Sequence, residues 1–402
     1  MKKDYLFKEA KNFFSIFEAK SEILTGMKVP GSVTLIGDTS EFNKGKIIGA
    51  NIDKQSVMFA QKRRDKDRFV YFYSKRYDEK IRVNLSEPQI HGENGWANFM
   101  AMALFELEGS GKRIPGMHVY IDNNIPDFFN CNNVEALQIG IVQIAEKFGD
   151  WTMTAVETAE LCAQGDFKFM KKERNSVKYM PILNGQKGML TYYDAAKKEA
   201  ENIPCDINSV GLSFMVMSSG IKNKSVERRV AAINEEVKQS LATIRNSGGQ
   251  VESLDQLSME AFDEYRGKLT LSQKKRCAYF ISENERSQAA AGVLKTGNIL
   301  AFVDIVNESQ KNIKNRLEII DGENESLLNI INDAEGVKAA RVLNMGLDGT
   351  VFVIVDNDKK QHVESKVRKA FMNITGLDLQ TEHFELSNVM EEVSVNISEF
   401  GK

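Results

Sequence analysis

Asn344–Val355 reads NMGLDGTVFVIV, a polar turn that runs directly into an apolar segment with the composition of a strand. Glycine-rich loops beside a strand or helix are common phosphate-binding elements, because glycine lets backbone N–H groups approach the anion. Here only Gly346 and Gly349 are present, and Asp348 adds a carboxylate between them. The stretch therefore has the position and the following strand of a nucleotide-binding loop, but the residues that would contact the phosphate are altered. This raises the question whether the protein is an enzyme.

The composition around this stretch is that of a globular protein with two domains. The chain has 402 residues, of which 42% are hydrophobic and 27% charged, and this length exceeds that of one small core. The net charge of -3 and the absence of a sustained Lys/Arg run predict no nucleic-acid partner. No apolar run reaches membrane length and the N-terminus does not resemble a signal peptide, so we expect a cytoplasmic protein without a membrane partner.

Cysteine and histidine are too dispersed for a metal centre or a disulfide framework. The four cysteines contain no CxxC pair, which predicts buried reduced thiols. The four histidines are equally scattered, which argues against a zinc site and a His-based catalytic triad.

Hydrophobic periodicity predicts an α+β protein in which strands and helices do not alternate regularly. Strands are expected across residues 29–84 and at Met117–Asn123, with helices at Trp96–Glu108 and Val134–Phe148. The character changes near Pro204. Beyond it the pattern predicts a strand at 210–219, long helices at Val226–Arg245, Ser272–Leu294 and Asn298–Ile313, strands at Ala340–Leu343 and Thr350–Val355, and a charged helix at Lys359–Met372.

Four landmarks in this order resemble galactokinase, a family of the GHMP superfamily of small-molecule kinases. Val29–Asn43 (VPGSVTLIGDTSEFN) is similar to the galactokinase signature Ala-Pro-Gly-Arg-Val-Asn-Leu-Ile-Gly-Glu-His-Thr-Asp-Tyr-Asn. The other landmarks are Trp96–Asn98 with Gly116–Pro126, the Glu-Asn-x-Arg helix within Ser282–Asn307, and Ala340–Val355. The resemblance implies a two-lobed GHMP-kinase-like α+β fold. Residues 1–204 would form a ribosomal-protein-S5-like N-terminal lobe, and residues 205–402 a ferredoxin-like α/β C-terminal lobe, with sugar and nucleotide in the cleft between them.

The signature residues that the family uses for the sugar are altered here. In galactokinases an Arg near its start stabilises the reacting phosphate, and Glu, His and Asp bind sugar hydroxyls. The Arg position is Ser32, which removes a positive charge where phosphoryl transfer builds negative charge. The sugar-binding positions are Asp38, Thr39, Glu41 and Asn43. Two interpretations stay open: a residual contact to a sugar or polyol, or a solvated turn after a core strand.

The family's phosphate loop, Pro-Ile-Gly-Ala-Gly-Leu-Ser-Ser-Ser-Ala, corresponds to Pro126–Glu135, which reads PDFFNCNNVE. It contains no glycine, and Asp127 and Glu135 add negative charge where an anion would bind. The loop positions are Phe128, Phe129, Asn130, Asn132 and Asn133, with Gly346 and Gly349 in the later loop. The magnesium-contacting Ser becomes Asn132 or Asn133, and Asp166 falls where the family has an acidic residue near magnesium. The resemblance therefore predicts a capped helix with a filled pocket and no bound metal.

The family's Asp that acts on the sugar hydroxyl falls on Lys178 when residues are counted back from Asp194 without gaps. A lysine cannot serve as a carboxylate base at neutral pH unless it is strongly desolvated. Lys178 could form a salt bridge with Asp38 or Glu41 across an emptied site, or it could take over the charge role of the missing Arg.

These substitutions predict a catalytically impaired or inactive pseudokinase, because a fold does not carry its function once the site is lost. The remaining role would be sensing or binding a small sugar or polyol, or regulating a protein partner, with neither ATP nor magnesium as cofactor. The competing hypothesis is an active ATP-dependent sugar kinase whose catalytic groups are rebuilt on Asp38, Glu41 and Lys178. Only this alternative requires ATP and magnesium.

Overall fold

The computed structural model describes residues 3–18, 23–37, 43–64, 67–127, 129, 131–171, 175–221, 224–319 and 322–396. Within these residues the strands are β1 (Ile23–Ile36), β2 (Lys46–Lys62), β3 (Phe69–Ser74), β4 (Glu79–Asn84), β5 (Met117–Asn123), β6 (Met189–Asp194), β7 (Glu199–Pro204), β8 (Leu212–Ser218), β9 (Val337–Val342), β10 (Thr350–Asp356), β11 (Gln380–Phe384) and β12 (Glu391–Asn396). The helices are α1 (Lys3–Phe17), α2 (Ala97–Gly109), α3 (Asn133–Gly149), α4 (Ala155–Met170), α5 (Met180–Asn184), α6 (Lys224–Asn246), α7 (Met259–Asp263), α8 (Leu271–Lys295), α9 (Ile299–Asn312), α10 (Gly322–Asn332) and α11 (Lys360–Thr375).

The first lobe is built on one large, mostly antiparallel sheet in the order β12-β1-β2-β5-β3-β4. Strand β2 is long enough to pair twice on one side: its first residues, Lys46–Ala50, pair with β6, and Ser56–Lys62 pair with β5. Strands β3 and β5 are parallel, and the chain between them passes through β4 and α2. Helix α3 packs on β1 and β2 and also contacts α2 and α4, so one face of this sheet is covered by helices.

The C-terminal strand β12 corrects the expected lobe boundary. Residues Ile23–Lys28 of β1 pair antiparallel with Glu391–Asn396. The sheet membership does change after Pro204, where β7 ends. However, the end of the range 205–402 returns to the first sheet, so the second lobe also contributes a strand to the first. An edge strand offers unpaired backbone groups, and β12 pairs with those of β1.

The second lobe contains a four-stranded antiparallel sheet in the order β11-β8-β10-β9. Numbered within this sheet, that order is 4-1-3-2, the arrangement of a ferredoxin-like fold, which confirms the predicted fold class. Helices α10 and α11 share a hydrophobic core with one face of the sheet, whereas α9 packs on β9 from the other face. The long helices α6 and α8 form a separate helical core with the turns around them.

A buried ionic cluster connects the two lobes at helix α8. Glu283 and Arg341 are both 1% exposed, and their side chains approach to 3.2 Å. The same carboxylate accepts hydrogen bonds from Ser309 Oγ at 2.6 Å and from the backbone N–H of Gly37 at 3.2 Å, and Arg286 Nε lies 2.9 Å from its second oxygen. Because Gly37 follows β1 and Arg341 lies on β9, one carboxylate contacts both lobes.

The next residue of α8 extends this connection. The amide of Asn284 donates to Asn43 Oδ1 at 3.0 Å and accepts from the backbone N–H of Lys46 at 3.1 Å. Both partners flank the start of β2. The Glu-Asn-x-Arg landmark therefore has a structural role, because its side chains hold α8 against the first sheet.

No helix in the described part of the chain combines the length and the apolar character needed to cross a membrane. All four cysteines are buried and unpaired, as the sequence predicts.

Candidate functional site

Two adjoining cavities lie where the helix-covered side of the first sheet meets the second lobe. The first, which we call the aromatic cavity, has a volume of about 470 Å³ and is bounded at one end by Tyr77, Trp96 and Phe99. The second, the inner cavity, has a volume of about 670 Å³ and reaches from Gly37 to helix α6. The two cavities share the lining residues Asn132, Glu135, Asp166, Lys178 and Asn344. They therefore form one cleft, and residues from three of the four landmarks of the sequence meet in it.

Ser32 is fully buried beneath this cleft and does not line either cavity. Its hydroxyl accepts a hydrogen bond from Asn132 Nδ2 at 2.9 Å, and its backbone N–H donates to the carbonyl of Cys131 at 3.0 Å. Asn132 has a left-handed backbone (φ 48°), which asparagine tolerates better than most residues. Its amide also donates to the carbonyl of Lys178 at 3.3 Å. At the position expected for an arginine, the structure therefore has a neutral serine whose hydroxyl is hydrogen-bonded to Asn132.

The loop before helix α3 packs into the first lobe, which corrects one expectation. Phe129 is 4% exposed and belongs to the core of this lobe, so its ring does not fill the cleft. The loop lies so close to β1 that a side chain on Gly31 would approach the Cys131 carbonyl to 2.8 Å. Phe128 and Asn130 lie outside the described residues.

Asp127 lies at the aromatic cavity with its carboxylate held by two donors. Its Oδ1 is 2.9 Å from Arg76 Nη1 and 2.6 Å from Asn133 Nδ2. Asn133 begins helix α3, and its own Oδ1 accepts from Asn123 Nδ2 at 2.6 Å. Asp127 is therefore an anion that is already neutralised by a guanidinium at the entrance to the helix.

Lys178 lies on a short 3-10 turn, Val177–Tyr179, and its half-buried side chain lines both cavities. Asp166, on α4, is fixed by a hydrogen bond of 2.8 Å from Gln138 Nε2, and Gln138 Oε1 accepts from the Tyr179 hydroxyl at 2.7 Å. Burial raises the pKa of Tyr179, so this hydroxyl stays protonated and keeps the Gln138 amide oriented. Among the described residues Lys178 has no ion pair; a salt bridge with Asp38 or Glu41 stays a prediction, since both lie outside them.

The loop of Asn344–Gly349 connects β9 to β10 and closes the cleft from the second lobe. Asn344 lines both cavities and donates from Nδ2 to Asp348 Oδ2 at 2.9 Å. Gly349 has a φ of 61°, and a Cβ there would lie 2.2 Å from Ser219 Oγ. Only glycine fits this position. Gly349 therefore allows the loop Asn344–Gly349 to pack closely against Ser219. Its neighbour Asp348 lines the aromatic cavity.

Of the four positions expected to bind the sugar, the structure describes only Asn43. Asp38, Thr39 and Glu41 lie outside the described residues, so their role stays a prediction. Asn43 is fully buried and its Oδ1 accepts from Asn284. Its amide oxygen thus helps to hold the two lobes together, and a contact of Asn43 with a sugar stays a prediction.

Several residues of the cleft carried no signal in the sequence. Arg76, Asn123 and Gln138 meet the cavities or their lining residues only because strands β3 and β5 end beside the start of α3. None belongs to a motif. One signal could have located these residues. The ends of neighbouring strands lie together at the same edge of a sheet, and polar residues occur at two such ends, Ser74–Arg76 and Ile121–Asn123.

Comparison with known proteins agrees with this arrangement. No model of a known protein family matches the chain. The galactokinase of Staphylococcus saprophyticus is 23% identical over 382 residues, which cover 94% of this chain and 97% of that protein. The galactokinase of Streptococcus mutans is 24% identical over 351 residues, which cover 86% of this chain and 89% of that protein.

Solved structures show the same fold. The Lactococcus lactis galactokinase, crystallised in complex with galactose, superposes with a TM-score of 0.85 over 97% of this chain and 100% of that one, at 20% identity. The mevalonate kinase of Methanococcus jannaschii superposes with a TM-score of 0.61 over 90% of this chain and 98% of that one, at 15% identity.

The two lobes and the cleft between them define a protein with the fold of the GHMP kinase superfamily. Its sequence is similar to those of galactokinases over most of the chain, and the galactokinase structure superposes over 97% of it. Both the resemblance predicted from the sequence and the predicted two-lobed α+β architecture are thereby confirmed.

The galactokinase resemblance implies ATP and magnesium, and the described residues fit this pair poorly. The arginine position holds a buried serine, and the donors of Arg76 and Asn133 are occupied by Asp127. Three further carboxylates line the aromatic cavity, those of Glu135, Asp166 and Asp348. Within the described ranges no group of three or more His, Cys, Asp or Glu side chains is placed to hold a metal ion. We therefore derive no phosphoryl-transfer step for this cleft.

Proposed function

We propose that this galactokinase-like protein transfers phosphate poorly or not at all and acts by binding a small sugar or polyol in its inner cavity. The observation that supports this most strongly is Ser32, because its hydroxyl is buried and hydrogen-bonded to Asn132. A neutral, buried hydroxyl at that position cannot stabilise the negative charge on the phosphoryl group in the transition state of its transfer. A cationic side chain in such a role is worth a factor of about 10³–10⁵ in kcat in other phosphotransferases.

Lys178 supports the same proposal, because it concerns the base that would activate the sugar hydroxyl. Where the family resemblance places a carboxylate base, this chain presents an ammonium group to both cavities. An ammonium cannot accept a proton from a sugar hydroxyl, but it is a good donor to one. The residue is therefore suited to holding a hydroxyl and unsuited to activating it.

The inner cavity has the polar character that a polyol needs. Its wall includes the side chains of Asn132, Asp166, Asn175, Lys178 and Asn344. The amides supply donors and acceptors to hydroxyl groups, and charged side chains of both signs, lysines and carboxylates, also line this cavity, so no net charge on the ligand is required. The similar Lactococcus lactis galactokinase was crystallised with galactose, which makes a hexose the first ligand to test.

Isothermal titration calorimetry with a panel of sugars and polyols, together with a coupled assay of ADP formation, tests the proposal. We expect one or more sugars to bind and no ADP to form with magnesium and ATP present. A ligand at 100 times its Kd should stabilise the fold by about 2.7 kcal/mol in thermal unfolding.

Lys178→Ala should weaken the binding of the sugar, whereas Lys268→Ala is a matched control because Lys268 is exposed and remote from both cavities. Sugar-dependent ADP formation that Lys178→Ala abolishes and Lys268→Ala preserves would contradict the proposal. It would favour the alternative function, an active sugar kinase with rebuilt catalytic groups.

A further inference from the structure

We infer that Asp127 determines the ligand specificity of the aromatic cavity: its carboxylate occupies the donors of Arg76 and Asn133 and thereby excludes ligands that carry phosphate. The inference deepens the proposed function, since it rests on a cleft that does not act on a nucleoside triphosphate. It assigns a role to Arg76 and Asp127, which line the aromatic cavity and not the inner cavity where we propose that the sugar binds.

The first observation is that two donors converge on one oxygen. Arg76 Nη1 and Asn133 Nδ2 lie 2.9 Å and 2.6 Å from the same atom, Asp127 Oδ1. A charge-assisted hydrogen bond from a guanidinium is among the stronger contacts available to an oxyanion. This pair of donors has the chemistry of a phosphate-oxygen site, and a carboxylate from the same chain fills it.

The second observation is that both donors are held in place by contacts other than Asp127. Arg76 Nη2 donates to the carbonyl of Ile125 at 2.7 Å. The amide of Asn133 is oriented by Asn123, whose Nδ2 donates to Asn133 Oδ1 at 2.6 Å, so Asn133 Nδ2 is directed toward Asp127. Asn123 is itself fixed, because its Oδ1 accepts from the backbone N–H of Ile125 at 2.9 Å. Removing the carboxylate of Asp127 should therefore leave the two donors where they are.

The third observation is that this site opens into the cavity. Arg76, Asn123, Asp127 and Asn133 all line the aromatic cavity, as do Tyr77 and Trp96, whose rings stack at 5.9 Å. A ligand with a flat ring system could contact this aromatic wall while its other end reaches Arg76. If that end is a phosphate it meets the carboxylate of Asp127, whereas an uncharged end does not suffer this repulsion.

The test measures binding of inorganic pyrophosphate, ADP and adenosine by isothermal titration calorimetry to the full-length protein and to Asp127→Ala. We expect the affinity for pyrophosphate and ADP to rise at least tenfold in Asp127→Ala, with no comparable rise for adenosine. The double variant Arg76→Ala/Asp127→Ala should lose the gain, because the freed guanidinium is what holds the phosphate.

Asp263→Ala is the matched control. It breaks another Arg–Asp contact, the one of 2.9 Å between Arg266 and Asp263, which lies outside both cavities. This variant should not gain affinity for either phosphate-bearing probe. If Asp127→Ala fails to fold, Asp127→Asn removes the charge but keeps an acceptor oxygen for the two donors, so a gain of the same sign but smaller size is expected.

Unchanged affinity of both Asp127 variants for pyrophosphate and ADP would overturn the inference. So would an equal gain for adenosine, since that would mean the cavity had merely been enlarged. Sugar-dependent ADP formation by the unaltered protein would instead contradict the proposed function, and that readout does not depend on Asp127. The two failures are therefore distinguishable.

Discussion

Glu283 is a buried charged residue that lies among two guanidinium groups and a hydroxyl. Its carboxylate is buried between Arg341 and Arg286 and also accepts from Ser309. Burial alone would raise the pKa of Glu283, but the two guanidinium groups and the Ser309 hydroxyl outweigh it, so the pKa is lowered from its ordinary value. An ionised carboxylate is therefore part of the folded state.

Replacing this carboxylate should destabilise the protein strongly. Glu283→Gln removes the carboxylate that contacts the buried guanidinium of Arg341 at 3.2 Å, and breaking a buried ion pair in this way costs about 3–5 kcal/mol. Urea unfolding at pH 7 measures the change. Glu308→Gln is the control, because the Glu308–Lys311 pair is exposed and such pairs are worth about 0–1 kcal/mol.

The pH dependence follows from the lowered pKa. A carboxyl with a lower pKa in the folded than in the unfolded state stabilises the fold above its unfolded pKa, about 4.3 for Glu. That contribution is lost as the pH falls from there through the folded-state pKa. The difference in unfolding free energy between the native sequence and Glu283→Gln should thus shrink below about pH 4.3. A constant difference down to pH 3 would contradict this assignment.

At the scale of elements, helix α1 seals the face of the first sheet that lies opposite the cleft. Ala10 and Phe13 are fully buried there and share a hydrophobic cluster with residues of β1, β2, β5 and β12. Glu9 is equally buried, and its carboxylate accepts from the Tyr120 hydroxyl at 2.6 Å and from Lys75 Nζ at 2.8 Å. Lys75 faces α1, whereas its neighbours Ser74 and Arg76 line the aromatic cavity, so the helix supports the back of the cleft.

Removing the main apolar contact of α1 should therefore weaken the whole first lobe. Phe13→Ala deletes a buried ring, a change that typically costs about 3–5 kcal/mol. We expect a lower midpoint in urea unfolding, whereas Ser15→Ala, at an exposed position of the same helix, should stay within about 0.5 kcal/mol of the native sequence. Equal stability of the two variants would show that α1 contributes little to the fold.

At the scale of the molecule, the lobes are joined by more than the chain between them. Strand β12 pairs with β1, and helix α8 contacts the start of β2 through Asn284. Connections of this kind make two lobes unfold together, because neither can lose its structure without exposing the contacts of the other. We expect one cooperative transition in scanning calorimetry.

Asn284→Ala tests this coupling. It removes two hydrogen bonds between the lobes, a buried one to Asn43 and a partly buried one to Lys46. The variant should lower stability by about 1–3 kcal/mol while broadening or splitting the thermal transition. Asn307→Ala is matched to it, since Asn307 donates to the Lys338 carbonyl within the second lobe; it should shift the transition without splitting it. A split in the control, or its absence in Asn284→Ala, would mean that other contacts couple the lobes.

The local sequence pattern determined the secondary-structure elements and the resemblance to galactokinases. Hydrophobic periodicity predicts the buried strands β1, β2, β5 and β10 and the long helices α3, α6 and α8 where the structure has them, because their buried side chains recur at a fixed repeat. The order of the landmarks was enough to predict the galactokinase resemblance.

Only the tertiary structure decided what the altered residues touch. Sequence position placed Phe129 in the phosphate loop and Asn43 among the sugar contacts, yet the first is buried in the core and the second binds Asn284. The pairing of Arg76 with Asp127 and the return of β12 to the first sheet join residues that are far apart in the chain. Contacts of this kind depend on which elements are adjacent in space, and a one-dimensional pattern of hydrophobicity and charge carries no information about that.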